Sequence, residues 1–169
     1  ISSGRASVAT DEIDTFTETG VRLASGEEIS ADIVVMATGL ELLALGGIEV
    51  EADGVPIEPS EHLVYKSGML TGVPNFLFVF GYVNASWTLR VDLICEWLCR
   101  CLAFMDRNGF DTAVPVNDDP TMPTAPMLEL TAGYVQRARD LLPKQGTGPW
   151  RTATRYRDDV RRLRDDPLD

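Results

Sequence analysis

Three cysteines, one histidine and two apolar runs that end in glycine are the places where this sequence could do chemistry. Cys95, Cys99 and Cys101 fall close together in one apolar segment. On a helix, Cys95 and Cys99 lie about 40° apart and Cys101 points roughly 120° from Cys95, so three thiolates on one metal would require the helix to break. We read the three as small apolar helix residues in a reducing cytoplasm. His62 is the lone histidine and sits in a loop-to-strand stretch. It is read as structural or surface, and a Ser–His–Asp arrangement exists only if His62 is its base. The sequence holds no Gly-x-Gly-x-x-Gly, no Gly-x-Ser-x-Gly, no Walker loop and no paired-histidine metal signature. A pyrophosphate therefore has no glycine-rich cradle in this stretch. We assign no catalytic residue and no metal ligand.

The two glycine-ended runs are more informative. Ile33 to Ala37 is unbroken and apolar, without alternation, and stops at Thr38-Gly39. Phe76 to Phe80 has the same character and stops at Gly81, followed by a polar linker and then a helical pattern. Runs of this kind read as strands covered on both faces, as in the middle of a parallel sheet. In open α/β sheets, ligands collect at the carboxyl ends of strands, where helix N-termini offer unpaired N–H donors and a positive dipole end. Gly81 would let the backbone approach a flat or anionic cofactor closely. Asn84, Ser86 or Thr88 could cap the helix or bond a ligand. A strand-to-helix junction needs a cap in any case, and the turn at Thr38-Gly39 read alone is a chain crossing between sheets.

The elements around these runs are legible. Ala6 to Ala37 alternates loosely, with turns at Thr19-Gly20 and Ser25-Gly26, and Val21 to Ile29 reads as a β-hairpin. Residues 40–61 form a loop-rich connector with one short hairpin turning at Asp53-Gly54, Ile48–Val50 against Val55–Ile57. His62 to Tyr65 reads as a further short strand. Thr88 to Arg107 has helical periodicity: Leu89, Leu93, Ile94, Trp97, Leu98, Cys101, Leu102 and Met105 cover an arc of roughly 220°, too wide for a lightly packed surface helix. Asp92, Glu96 and Arg100 mark its wetter side, Arg90 projects into the apolar arc in the first turn, and Asn108-Gly109 is a C-cap signal. Asp111 to Met127 is proline-rich and irregular. Two shorter helices follow, Ala132 to Leu142 and Thr152 to Arg164; the second mixes Arg155, Arg161, Arg162 and Arg164 with Asp158 and Asp159, a solvated face.

Composition limits the function classes. The 169 residues are 44% hydrophobic and 24% charged, which argues for a folded chain rather than a disordered one. Charges sum to −11, a poor match to nucleic acid or an anionic membrane as the main partner. The longest nearly uncharged apolar stretch, Val73 to Trp87, contains Pro74, Asn75, Gly81, Asn84 and Ser86 and does not span a bilayer. The sequence opens on Ile1-Ser2-Ser3-Gly4-Arg5, which reads as a helix end and turn, so residues upstream are expected.

Taken in order, the junctions resemble a known family. Ser30-Ala31-Asp32-Ile33-Val34-Val35-Met36-Ala37-Thr38-Gly39-Leu40 is similar to the D-x-V-V-x-A-T-G strand of flavoprotein monooxygenases with two dinucleotide-binding domains. Gly72-Val73-Pro74-Asn75-Phe76-Leu77-Phe78 is similar to their G-x-P-N-L-F strand. The likeness continues through Gly81 to Leu89, the long helix and Leu142-Pro143-Lys144-Gln145-Gly146. The ordered set resembles most the Baeyer–Villiger branch that includes the ethionamide-activating monooxygenases of actinobacteria.

That resemblance implies a mixed α/β fold: the incomplete C-terminal part of a two-dinucleotide-binding-domain flavoprotein, with β-hairpins, a buried helix and a helical tail. Residues 1–39 would be the end of the crossover strands between the NADPH and FAD domains. Residues 40–110 would be the C-terminal part of the FAD domain, with the helix at 88–107, and residues 111–169 an irregular and helical tail. It implies a cytoplasmic oxidoreductase using FAD and NADPH. Through a C4a-peroxyflavin, such an enzyme inserts one atom of O2 beside a ketone carbonyl or onto the sulfur of a thioether or thioamide. Thr38 and Gly39 would lie at the crossing between domains, and Gly81, Asn84, Ser86, Trp87, Thr88 and Leu89 beside the flavin, where Trp87 could instead wall the substrate pocket. The family's glycine-rich loops, fingerprint and active-site arginine would lie upstream of Ile1. Arg90 and Asp92 are read as helix surface or domain-contact groups. Separated from the rest, the chain would be inactive and prone to self-association through open strand edges. A different class of function is a stand-alone binding module that kept this scaffold; an upstream Gly-x-Gly-x-x-Gly in frame would exclude it. A third is the matching part of a reductase, against whose disulfide-reducing version the lack of Cys-x-x-Cys weighs.

Overall fold

A computed structural model describes residues 1–168. The chain divides into two compact units, Ile1–Gly39 and Leu40–Asp169.

In the first unit, β1 (Ile13–Thr17), β2 (Gly20–Leu23) and β3 (Glu28–Ser30) form an antiparallel sheet in the order β1-β2-β3. The hairpin expected at Ser25-Gly26 joins β2 to β3, with Val21 opposite Ile29 and Arg22 opposite Glu28. Asp11 holds the turn by accepting the Ser25 N–H at 3.0 Å, and this bonding keeps its carboxyl below the usual range. Leu23 is buried, while Ile13 and Phe16 are exposed.

The run Ile33–Ala37 departs from expectation. It belongs to no strand, and Ile33 and Val35 are 83% and 80% exposed. Among the described residues no strand pairs with it. A strand exists only through its neighbour's hydrogen bonds, and among the described residues no strand supplies them to this apolar run.

The second unit is built around one long helix, α1. Four short hairpin strands precede it: β4 (Glu51–Ala52) pairs with β5 (Val55–Pro56), and β6 (Val64–Tyr65) with β7 (Met69–Leu70). The Asp53-Gly54 turn is as expected, but the ladder lies closer to it, leaving Ile48 and Glu49 unpaired in the sheet. Phe76–Phe80 is again no ladder strand, though it is extended. The Phe78 N–H donates to Gly68 O at 2.7 Å, Leu77 and Val79 pack on the core, and Phe76 and Phe78 stack with centroids 6.2 Å apart. One face is covered; the expectation of two fails.

α1 runs Trp87–Asn108, within one residue of the expected bounds at each end. Gly109 ends it at φ +68, its N–H reaching Asp106 O and the Phe110 N–H reaching Met105 O, a Schellman arrangement that the Phe104–Phe110 ring contact closes. The buried stripe is narrower than predicted. Leu93, Ile94 and Trp97 join Met69 and Leu163 in the core, whereas Leu89 and Leu102 are exposed. Arg100, expected on the wet side, is half-buried and donates to Leu163 O and Asp166 O.

Beyond α1, β8 (Ala125–Pro126) pairs with β9 (Lys144–Gln145) across the irregular stretch. The expected helices are shorter. α2 is Gly133–Arg137 and continues as tight turns, because Pro143 disfavours helical geometry at Leu142. α3 is Tyr156–Val160, extended by a π-helical turn at Arg161–Asp165. It starts late: Arg151 and its N-cap Arg155 are extended, and between them the Thr152 N–H is held by Gln145 Oε1 at 3.1 Å. Among the described residues no helix is long and apolar enough to cross a membrane.

Candidate functional site: the junction before the long helix

Gly81 is buried, and the reason is its neighbour. A Cβ there would lie 2.1 Å from Trp87 Cγ, so only glycine leaves room for the indole. Trp87 lies on Phe80 with ring centroids 5.0 Å apart and keeps half of its surface in solvent. Val83, Asn84, Ala85, Ser86, Thr88 and Leu89 are all exposed. Ser86 occupies the N-cap position without capping: its Oγ pairs with Thr88 Oγ1 at 2.7 Å. No side chain therefore closes the first turn of a 22-residue helix; the Leu89 N–H turns back to Ser86 O at 3.3 Å, and among the described residues the Trp87 and Thr88 N–H groups are left for an outside acceptor. Six predicted residues, Gly81, Asn84, Ser86, Trp87, Thr88 and Leu89, thus share one open junction. Thr38 and Gly39 are exposed and close the first unit.

Arg90 overturns the helix-surface reading. It is 1% exposed, the largest fully buried side chain. Its Nε donates to Asp159 Oδ2 at 2.7 Å, its Nη1 to Phe80 O and Gly81 O at 3.0 Å each, and its Nη2 to Ala153 O. Its Cζ stands 3.9 Å from the centroid of the Tyr82 ring, and Tyr82 donates its hydroxyl to the same Asp159 oxygen at 2.5 Å. Burial and the Asp159 carboxylate push the Tyr82 phenol well above its ordinary value. Asp92, by contrast, is exposed as expected. A cleft of about 170 Å³ opens beside this cluster, lined by Phe80, Tyr82, Arg90, Gln145 and Thr152. The Thr152 hydroxyl is buried there without a partner.

Asp159 is the buried neighbour of this junction that the sequence did not reveal, since its charged segment reads as solvated. A signal was present: Tyr156, Asp159, Val160 and Leu163 share a helical face, and an arginine on an apolar arc requires a buried carboxylate somewhere. His62 is structural, its Nδ1 2.7 Å from Thr71 O. Cys95 and Cys99 are exposed, and burial raises the thiol of the half-buried Cys101. Among the described residues no cluster of three or more metal-ligating side chains occurs.

No protein-family model matches the chain, and no solved structure matches it. Curated proteins do. The chain is 45% identical over 170 residues to the FAD-containing monooxygenase EthA of Mycolicibacterium smegmatis, covering 100% of this chain and 35% of that protein. It is 45% identical over 170 residues to EthA of Mycobacterium tuberculosis, with the same coverage. It is also 45% identical over 169 residues to the "Probable FAD-binding monooxygenase AlmA" of Acinetobacter baylyi, covering 99% of this chain and 34% of that one. The chain thus spans about a third of the length of the curated relatives it matches.

Proposed function

Because this chain is homologous over its whole length to a portion of the FAD-containing monooxygenases, we propose that the native protein carrying it is an FAD- and NADPH-dependent monooxygenase. The similarity at 45% identity along the entire chain is the observation that carries this reading. In this reading, residues 1–39 are the crossover from the NADPH domain to the FAD domain, with Thr38 and Gly39 at the crossing. Residues 40–110 complete the FAD domain, and residues 111–169 are its tail. Bound flavin would supply the oxygen-activating chemistry, adding one atom of O2 to a ketone or to a sulfur while NADPH is oxidised and the second atom leaves as water.

This chain's residues have a narrower task. The uncapped first turn of α1 suits the carbonyl oxygens of a flavin ring, and the absence of a Cβ at Gly81 leaves room for the indole of Trp87 against Phe80. Trp87 offers a broad apolar face that would exclude water from the ring or wall the substrate pocket. Asn84, Ser86, Thr88 and Leu89 are exposed and open to the same cofactor. The exposed run Ile33–Met36 and the open face of Phe76–Phe80 are suited to pairing with strands of the longer chain, and in the isolated 169-residue chain they would drive self-association. Three free thiols suit a cytoplasmic enzyme.

The test is oxygen transfer by the native protein supplied with FAD, NADPH and isotopically labelled O2, using an aliphatic ketone and a thioether in parallel. One labelled atom in an ester or a sulfoxide, matched by NADPH consumed, is the expected result, and the substrate that reacts decides between the two chemistries. NADPH oxidation without label in either product would overturn the assignment.

A further inference from the structure

The junction is not held in place by its own sequence neighbours. Residues 82–86 are mostly exposed, and no side chain caps the helix that follows. What fixes it is Arg90, one turn into α1, which reaches back to the two carbonyls at the end of the preceding run, Phe80 O and Gly81 O. Those two bonds close the linker into a clasp, so the first-turn N–H groups and Trp87 keep a set position relative to Gly81. The guanidinium can do this because its donors lie in one rigid plane pointing in several directions at once. Its remaining donors go to the other end of the unit: Nε to Asp159 of α3, and Nη2 to Ala153 O. Tyr82, inside the linker, stacks on the guanidinium and bonds the same carboxylate.

We propose that Arg90 is the positioning residue of the flavin-facing junction, and that Asp159 and Tyr82 make the C-terminal segment 153–159 a working part of that site. The inference rests on the flavin reading above. A cofactor-binding turn tolerates displacements of only about half an ångström, and a clasp with two carbonyls and a carboxylate at fixed angles supplies that tolerance. Lysine, a point charge on a flexible stem, can keep the ion pair with Asp159 but cannot hold both carbonyls in the plane.

The experiment uses the FAD-loaded native protein with Arg90→Lys, Asp159→Asn, Tyr82→Phe, Trp87→Ala and, as a control, Glu96→Gln elsewhere on α1, which breaks an exposed pair with Arg164 of the C-terminal π-helical turn. FAD affinity, the visible circular dichroism of the bound flavin and the melting temperature are read for each. Arg90→Lys is expected to keep a folded far-ultraviolet spectrum, weaken FAD about tenfold or more and change the visible signal. Asp159→Asn and Tyr82→Phe should change the visible signal less, and Glu96→Gln not at all. A folded Arg90→Lys protein with unchanged affinity and visible spectrum overturns the proposal. Should that variant fail to fold, unchanged visible spectra in both Tyr82→Phe and Asp159→Asn overturn it equally. If Trp87→Ala alters the flavin and the clasp variants do not, the junction stands and the clasp falls. If none does, the flavin reading of the junction itself is wrong.

Discussion

Two runs of this chain carry the same sequence signature and meet different fates. Ile33–Ala37 and Phe76–Phe80 are both unbroken, apolar and ended by a turn containing glycine. The first stands open to solvent through most of its length. The second has Leu77 and Val79 in the core that α1 builds, a backbone bond to Gly68, and Arg90 fastened to its last carbonyls. Hydrophobicity sets what a segment would gain by burial; a neighbour decides whether it does. One neighbouring helix is enough to half-bury a run and to turn its end into a defined junction, whereas the run that joins no strand within its own unit stays exposed.

The sharpest way to break this comparison is to remove the fastening. Arg90→Ala leaves Asp159 buried without its partner and should lower the stability of the second unit by about 3–5 kcal/mol in a denaturant melt. A loss under 1 kcal/mol would mean that the clasp holds nothing. Leu93→Ala empties a fully buried position where α1 enters the core and should cost about 2–5 kcal/mol by the same measurement. At the other extreme, Val35→Asp in the open run should shift the melt of the 169-residue chain by no more than about 0.5 kcal/mol. A large destabilisation there would show that Ile33–Ala37 is covered after all. Arg22→Ala removes an exposed pair of the first unit and should cost about 0–1 kcal/mol.

A further effect is one of pH. Tyr82 is held neutral by burial and by Asp159, so its folded-state pKa is raised. The stabilisation linked to it is complete below the ordinary phenol value of about 10 and is lost as pH rises through the raised value. An ultraviolet tyrosine titration should contain a late step that Tyr82→Phe deletes. A titration in which that variant deletes only an ordinary step would contradict the buried pairing.

Much of the local structure was legible from residue order. The hairpin turns at Ser25-Gly26 and Asp53-Gly54, the long helix and its Gly109 terminus all follow from interactions a few residues apart. Such signals are local, and so is the physics behind them. The misses are long-range. The width of the α1 stripe depends on what packs against Leu89 and Leu102, which sequence periodicity does not contain. The pairing of Arg90 with Asp159 spans 69 positions: Arg90 projects into an apolar arc without a visible partner, and Asp159 sits in a segment that reads as a solvated face. Of the candidate site, the junction was readable because a glycine between an apolar run and a helix marks a close approach. The contact that makes Gly81 obligatory, the Trp87 ring, became visible only in three dimensions.

The central proposal is that the Gly81–Trp87 contact shapes a junction facing the flavin of the longer protein, and Gly81→Ala tests it most directly. In the native protein, the added methyl group must displace the indole, since the two would stand 2.1 Å apart. Titration with FAD, followed by flavin fluorescence, should then show weakened binding in a protein whose far-ultraviolet spectrum still reports an intact α1. Unchanged FAD affinity, with tryptophan fluorescence showing that the ring has moved, would contradict the account.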